Sequence, residues 1–213
     1  MRVLLDFRPM ILIGMLDSPY VRRVAVSLKL MGLAFEHRSV SVFRNYDEFR
    51  AVNPVVKAPT LVCDDGTVLM DSTLILDYLE TIAPSGRKLM PSQPDARREA
   101  LRILGLALAA TEKCVQILYE RDNRPEDKRH APWLARVTEQ ANAGFAALEP
   151  TAAKAGPWAM GERFNAADVA LACAWRFSQY YDSREIPASR YPALVAYSAR
   201  AEALPEFAST PLD

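Results

Sequence analysis

Residues 11–42 read ILIGMLDSPYVRRVAVSLKLMGLAFEHRSVSV, and this stretch decides the fold of the first part of the chain. Ile11-Leu12-Ile13 is a short apolar run closed by Gly14, as a buried strand would be. Ser18 is a good helix N-cap, and Pro19 suits the first helical position, where no intrahelical N–H is needed. Val21, Val24, Ala25 and Leu28 recur at helical spacing, with Arg22, Arg23 and Lys29 outside that stripe, and Gly32 closes the helix. Phe35 to Val42 reads as a second strand. Two strands joined by a helix imply a parallel pair, because a hairpin turn cannot make that crossover.

Working outward, residues 43–53 are polar, with one short helical turn at best. After Pro54 and Pro59, Thr60-Leu61-Val62-Cys63 and Val68-Leu69-Met70 flank Asp64-Asp65-Gly66-Thr67, a strong hairpin pattern. Asp71 and Ser72 sit at a helix start whose expected inner face is Leu74, Ile75, Tyr78, Leu79 and Ile82, with Pro84-Ser85-Gly86 as its stop. The order β-α-β, connection, β-β-α predicts an α/β domain over residues 11–86 with a four-stranded mixed sheet. Residues 1–10 read as an N-terminal extension, with Met10 as a possible natural start, and residues 87–94 as a linker containing Pro91-Ser92-Gln93-Pro94. Strand patterns then vanish. Helical patterns over 95–121, 131–149, 168–181 and 192–204 make residues 95–213 an all-α domain, with 168–181 apolar on nearly all sides.

Composition narrows the function. The 213 residues carry 26 basic and 26 acidic side chains, 9 and 10 of them before residue 87, so neither half is polarised toward nucleic acid or an anionic membrane. No apolar run reaches the roughly 18 residues of a membrane span, and the first ten residues lack a secretory-signal layout. The expectation is a cytoplasmic protein. Cys63, Cys114 and Cys173 are dispersed among apolar neighbours and read as small buried hydrophobes, not as a disulfide framework or metal site. His37 and His130, the two histidines, read as surface or edge residues, so histidine-based metal or triad chemistry is not expected.

Four stretches in this order carry a family resemblance: Ser18-Pro19-Tyr20-Val21-Arg22-Arg23; residues 53–61, NPVVKAPTL; Asp71-Ser72; and Phe164-Asn165-Ala166-Ala167-Asp168. Together they resemble the cytosolic glutathione transferases over nearly all of residues 11–205. The resemblance implies a thioredoxin-like first domain that binds glutathione and a helical domain that holds a second, apolar substrate. Read as a residue alone, Ser18 either caps its helix or stabilises a thiolate with its hydroxyl and the positive helix end. The resemblance implies the second role, that of the catalytic serine. It implies a cis bond at Ala58-Pro59, with the Ala58 backbone pairing strand-like with the cysteinyl part of glutathione. Lys57 would approach a glutathione carboxylate, Ser72 would hold the γ-glutamyl carboxylate at a helix N-terminus, and Asp71 would pair with the γ-glutamyl ammonium. Val56 stands where the family commonly has glycine, and Asp71 where it more often has glutamate. Asn165 and Asp168 match the family's capping box, a folding device.

By the same analogy the second-substrate pocket takes Met15, Leu16 and Phe43, with Leu108, Thr111, Glu112, Val115 and Tyr119 from the first long helix of the α domain. A stripe at that spacing is equally a plain core face. The expected activity is conjugation of glutathione to an apolar electrophile, without a metal. Isomerisation, dehalogenation or peroxide reduction would use the same thiolate, and a non-catalytic binding or regulatory protein is the alternative of another class. A thiol–disulfide oxidoreductase is disfavoured by the absence of C-x-x-C and of any cysteine near residue 18. Partners implied by the resemblance are glutathione, an apolar small molecule and a second copy in a homodimer, with neither nucleic acid nor membrane.

Overall fold

The computed structural model describes residues 9–154 and 156–212. The expected extension therefore lies outside the described residues up to Arg8, and Met10 already belongs to the first strand. The chain forms two compact units: residues 1–88 with the tail 209–213, and residues 89–208.

In the first unit, β1 (Met10–Ile13), α1 (Pro19–Met31), β2 (Phe35–Arg38), α2 (Tyr46–Val52), β3 (Thr60–Val62), β4 (Val68–Met70) and α3 (Ser72–Ile82) follow one another. The strands form one mixed sheet in the order β2-β1-β3-β4. β1 runs parallel to β2, with Met10 opposite Phe35, and antiparallel to β3, with Ile13 opposite Thr60. The Asp-Gly turn closes the β3–β4 hairpin, with the N–H of Cys63 donating to Thr67 O at 2.8 Å and Gly66 in the left-handed region.

Three expectations need correction here. β2 ends at Arg38, not Val42, because β1 has only four residues and its ladder stops where the N–H of Gly14 donates to Arg38 O at 3.0 Å. Residues 46–52 form a seven-residue helix rather than a single turn. Its polar sequence conceals one anchor, Phe49, which is fully buried and packs with Ile13 and Val40, while Asp47 and Glu48 favour the positive helix end. On α3 the inner face narrows to Ile75 and Leu79, one turn apart, while Leu74 on a neighbouring face and Ile82 in the last turn are exposed and Tyr78 is half-buried.

α1 departs most from its pattern. Besides Val21, Val24, Ala25 and Leu28, it buries Arg22 and Arg23, at 2% and 3% exposure. A guanidinium taken out of water needs acceptors inside the unit. Arg22 Nε donates to Thr210 O at 2.9 Å, tying the tail to α1.

The second unit holds α4 (Pro94–Leu118), α5 (Ala131–Ala152), α6 (Ala166–Tyr181), α7 (Pro192–Glu202) and the short α8 (Pro205–Ala208). α4 continues into one π-helical turn, Tyr119–Asn123. α6 is the central helix and is buried on most sides; Trp175 packs edge-on against Phe145 of α5, their ring centroids 5.4 Å apart. It starts at Ala166, two residues earlier than its apolar pattern, because the cap is Asn165. Asn165 Oδ1 accepts from Ala167 N at 2.9 Å, and Asp168 Oδ2 reaches back to Asn165 N at 2.8 Å, so the capping box is complete. Cys63, Cys114 and Cys173 are free and buried.

Candidate active site

The first unit gathers most of the expected glutathione residues around the end of β1, the start of α1 and the start of α3. The chain turns out of β1 at Gly14, whose φ is +135°. A Cβ there would come within 2.6 Å of Val21 Cγ2 and 3.1 Å of Ala58 Cβ, so glycine is what lets strand, helix and the residue 58 loop converge. Ser18 follows as the N-cap of α1. Its Oγ accepts from Val21 N at a long 3.4 Å, and among the described residues its hydroxyl proton has no acceptor. A half-buried serine at a positive helix end, holding a free O–H, is equipped to donate to an anion.

The Ala58–Pro59 peptide is cis. Among the described residues neither the N–H nor the C=O of Ala58 meets a partner, which leaves both for an extended ligand. The loop before it is held from within. Buried Asn53 donates from Nδ2 to Thr60 Oγ1 at 2.9 Å and accepts from Val55 N at 3.0 Å, and Thr60 Oγ1 donates to Lys57 O at 2.8 Å. Val56 takes the left-handed conformation, φ +52°, that glycine adopts without penalty, so the loop keeps that shape despite a β-branched residue.

Asp71 caps α3 from an unusual backbone position, φ +72°, with Oδ1 accepting from Thr73 N at 2.9 Å. Its other oxygen, Oδ2, faces Lys57 Nζ at 4.0 Å, and both side chains are about half exposed, so the pair stays open to a charged ligand. Ser72, the first residue of α3, is nearly buried, and its Oγ accepts from Arg23 Nη1 at 3.2 Å. The same nitrogen reaches Thr73 Oγ1 at 3.3 Å. Arg23 is the residue that sequence reasoning passed over. The available sign was two consecutive arginines inside a helix that is otherwise almost wholly apolar, where a cation needs internal acceptors.

The expected second-substrate residues divide. In the first unit Leu16 is buried, Met15 is half-buried with its sulfur 3.1 Å from Arg44 Nη2, and Phe43 is 60% exposed. In the helical unit Thr111 must be removed from the wall. It shares the buried stripe of Ala107 and Cys114, is 3% exposed, and donates from Oγ1 to Ala107 O at 2.8 Å. Leu108 and Val115 pack at the margin of the helical core, and Tyr119 is 44% exposed. Glu112 lies on a solvated face, accepting from Gln116 Nε2 at 2.8 Å. Among the described residues no group of three or more His, Cys, Asp or Glu is placed to hold a metal ion, and no helix is long and apolar enough to cross a membrane.

Comparison with known proteins gives the family. Residues 12–88 match the glutathione S-transferase N-terminal domain, and residues 131–200 match the glutathione S-transferase C-terminal domain. A glutathione S-transferase of Methylobacterium radiotolerans, solved with glutathione sulfonate, is 30% identical, with 97% of this chain and 96% of that one covered and a TM-score of 0.88. A glutathione transferase family member of Pseudomonas fluorescens Pf-5, solved with bound glutathione, is 26% identical over 96% of this chain and 99% of that one, with a TM-score of 0.82. A probable maleylacetoacetate isomerase of Vibrio cholerae is 29% identical over 93% of this chain and 94% of that protein. The chain belongs to the glutathione S-transferase family.

Proposed function

We propose that the chain binds glutathione in its first unit and activates the thiol at Ser18 for attack on an apolar electrophile. The observation that carries this is the free O–H of Ser18 at the N-terminus of α1. A thiolate there gains one hydroxyl hydrogen bond and the favourable end of the helix field, which lowers the thiol pKa without a dedicated base. The unpartnered Ala58 backbone takes the cysteinyl segment, as an added strand would. Asp71 takes the γ-glutamyl ammonium, Ser72 takes its carboxylate, and Lys57, its side chain half exposed, takes a further glutathione carboxylate. Of Met15, Leu16 and Phe43, the first unit's candidates for the second substrate, Phe43 is the most open. The reading includes a homodimer, supported by exposed Leu74 on α3, and a cytoplasmic location, supported by three free buried cysteines.

Isomerisation is the second reading, favoured by the nearly full-length similarity to a probable maleylacetoacetate isomerase. The same thiolate would add to an activated cis double bond, allow rotation, and leave, so glutathione would be regenerated. Stoichiometry separates the two, since conjugation consumes one glutathione per turnover and isomerisation none.

The test is calorimetric titration of glutathione into wild type and Ser18→Ala, with the ultraviolet thiolate band and turnover of an aryl halide and of maleylacetoacetate measured in parallel. Submillimolar binding by both proteins, with loss of the thiolate band and a roughly 100-fold slower reaction in the variant, is expected. Absence of glutathione binding in the wild type would replace the enzyme reading with that of a non-catalytic member.

A further inference from the structure

We propose that buried Arg23 is a positioning residue that orients the Ser72 hydroxyl so that its proton faces the carboxylate of the incoming ligand. This rests on the reading of Ser72 as the γ-glutamyl carboxylate site. A guanidinium only donates, so where Arg23 Nη1 approaches Ser72 Oγ at 3.2 Å, the serine oxygen must accept. One lone pair is thereby committed, and the O–H is turned away from the arginine.

Where that proton goes is the deciding point. Three hydroxyls inside helices of this protein turn back onto their own helix: Thr111 Oγ1 donates to Ala107 O at 2.8 Å, Ser178 Oγ to Trp175 O at 2.8 Å, and Thr81 Oγ1 to Tyr78 O at 2.6 Å. Ser72 opens α3, so no helical carbonyl lies one turn before it, and among the described residues its proton has no acceptor. A nearly buried hydroxyl with one lone pair held by an arginine and its proton without an acceptor among the described residues, beside the N-terminal amides of a helix, is set for a carboxylate oxygen.

Arg23 itself is fixed, being 3% exposed in the interior of α1, the helix that Ser18 caps five residues earlier. The fork from Nη1 to Ser72 and Thr73 therefore also joins the helix bearing the thiol-activating serine to the helix bearing the carboxylate site. Lysine would offer one compact ammonium in place of the planar fork and would hold two hydroxyls less well.

The experiment uses the full chain and two ligands: glutathione, and 4-aminobutanoyl-cysteinylglycine, which lacks only the γ-glutamyl α-carboxylate. Arg23→Met is expected to weaken glutathione about 10-fold and the analogue by less than about twofold, with KM for glutathione rising and kcat at saturation nearly unchanged. In a Ser72→Ala background the same substitution should have no further effect on glutathione. Should Arg23→Met not fold, Arg23→Lys carries the test, with a loss of about threefold confined to glutathione. Equal weakening of both ligands, an unchanged glutathione affinity, or a full effect persisting in Ser72→Ala would overturn the assignment and leave a purely structural arginine. Failure of wild type to bind glutathione would instead overturn the parent reading, and this one with it.

Discussion

Arg22, in the first turn of α1, donates from Nε to the carbonyl oxygen of Thr210, 188 positions later, at 2.9 Å. The acceptor is as enclosed as the donor: Thr210 is 2% exposed. Lys29 Nζ adds bonds to Ser209 O at 2.9 Å and Ser209 Oγ at 2.7 Å. The tail is thus part of the first unit, supplying an acceptor that a buried guanidinium needs. Deleting residues 209–213 removes that acceptor and is expected to destabilise the protein by about 2–3 kcal/mol. Arg22→Met, which removes the buried cation along with its need, should cost only about 1 kcal/mol. Scanning calorimetry of the two variants checks the order; equal melting temperatures would contradict it.

Asp168 serves more groups than a helix cap requires. One carboxylate oxygen takes the N–H of Asn165, and the other takes the N–H of Ala159 at 2.8 Å and the hydroxyl of Tyr197. Burial pushes this carboxyl up, while those hydrogen bonds hold it down. Asn165→Ala loses one capping bond and should cost about 1 kcal/mol. Asp168→Ala strands three buried donors and should cost about 3 kcal/mol or more. Urea unfolding followed by tryptophan fluorescence, with Trp158 close to the site, measures both.

Asn53 holds a strained loop. Val56, β-branched at φ +52°, costs about 1–3 kcal/mol in backbone strain, which the surrounding bonds must offset. Asn53→Ala removes the links to Thr60 and Val55 and should cost about 2 kcal/mol while weakening glutathione several-fold, because the Lys57-Ala58 segment loses its support. In the double variant Val56→Gly should restore part of the loss, since glycine takes that conformation freely. A simple sum of the two single effects would show that the strain and the asparagine are not coupled.

What could be read in advance follows the range of the interactions involved. The strand–helix–strand order, the Asp-Gly hairpin and the Asn165 cap depend on residues a few positions apart, and each was legible. α2 was not, because its whole anchor is one phenylalanine in a polar run. The burial of Arg22 and Arg23 was not, because a cation enters a core only when distant chain brings acceptors, here Thr210 and Ser72. Ser18, Ala58 and Ser72 could be singled out as candidates from motif and helix position, but that neither serine's proton meets an acceptor among the described residues, and that Arg23 lies behind one of them, appears only in three dimensions. Thr111 was misplaced for the reason any helical stripe misleads, since the spacing that suits a pocket wall also suits a core.

Asp182 gives the protein a pH dependence of stability unlike that of an ordinary salt-bridged carboxylate. It follows α6, is fully buried, and is 3.3 Å from Arg121 Nη1, while its Oδ2 finds no partner among the described residues. Burial, with the Glu185 charge nearby, outweighs Arg121 and raises its pKa to about 7. The unfolded value is about 4. Between those values the folded chain holds a proton that the unfolded chain has released, so this group makes stability fall as pH rises from about 4 to 7 and then level off. Asp182→Asn, which keeps the shape and removes the titration, should flatten that decline, gaining on wild type progressively toward pH 7. Glu185, which also faces Arg121 at 3.4 Å, is left in place as the internal control. Urea midpoints measured at intervals from pH 4 to 8 test this, and parallel curves for the two proteins would mean that Asp182 stays ionised throughout.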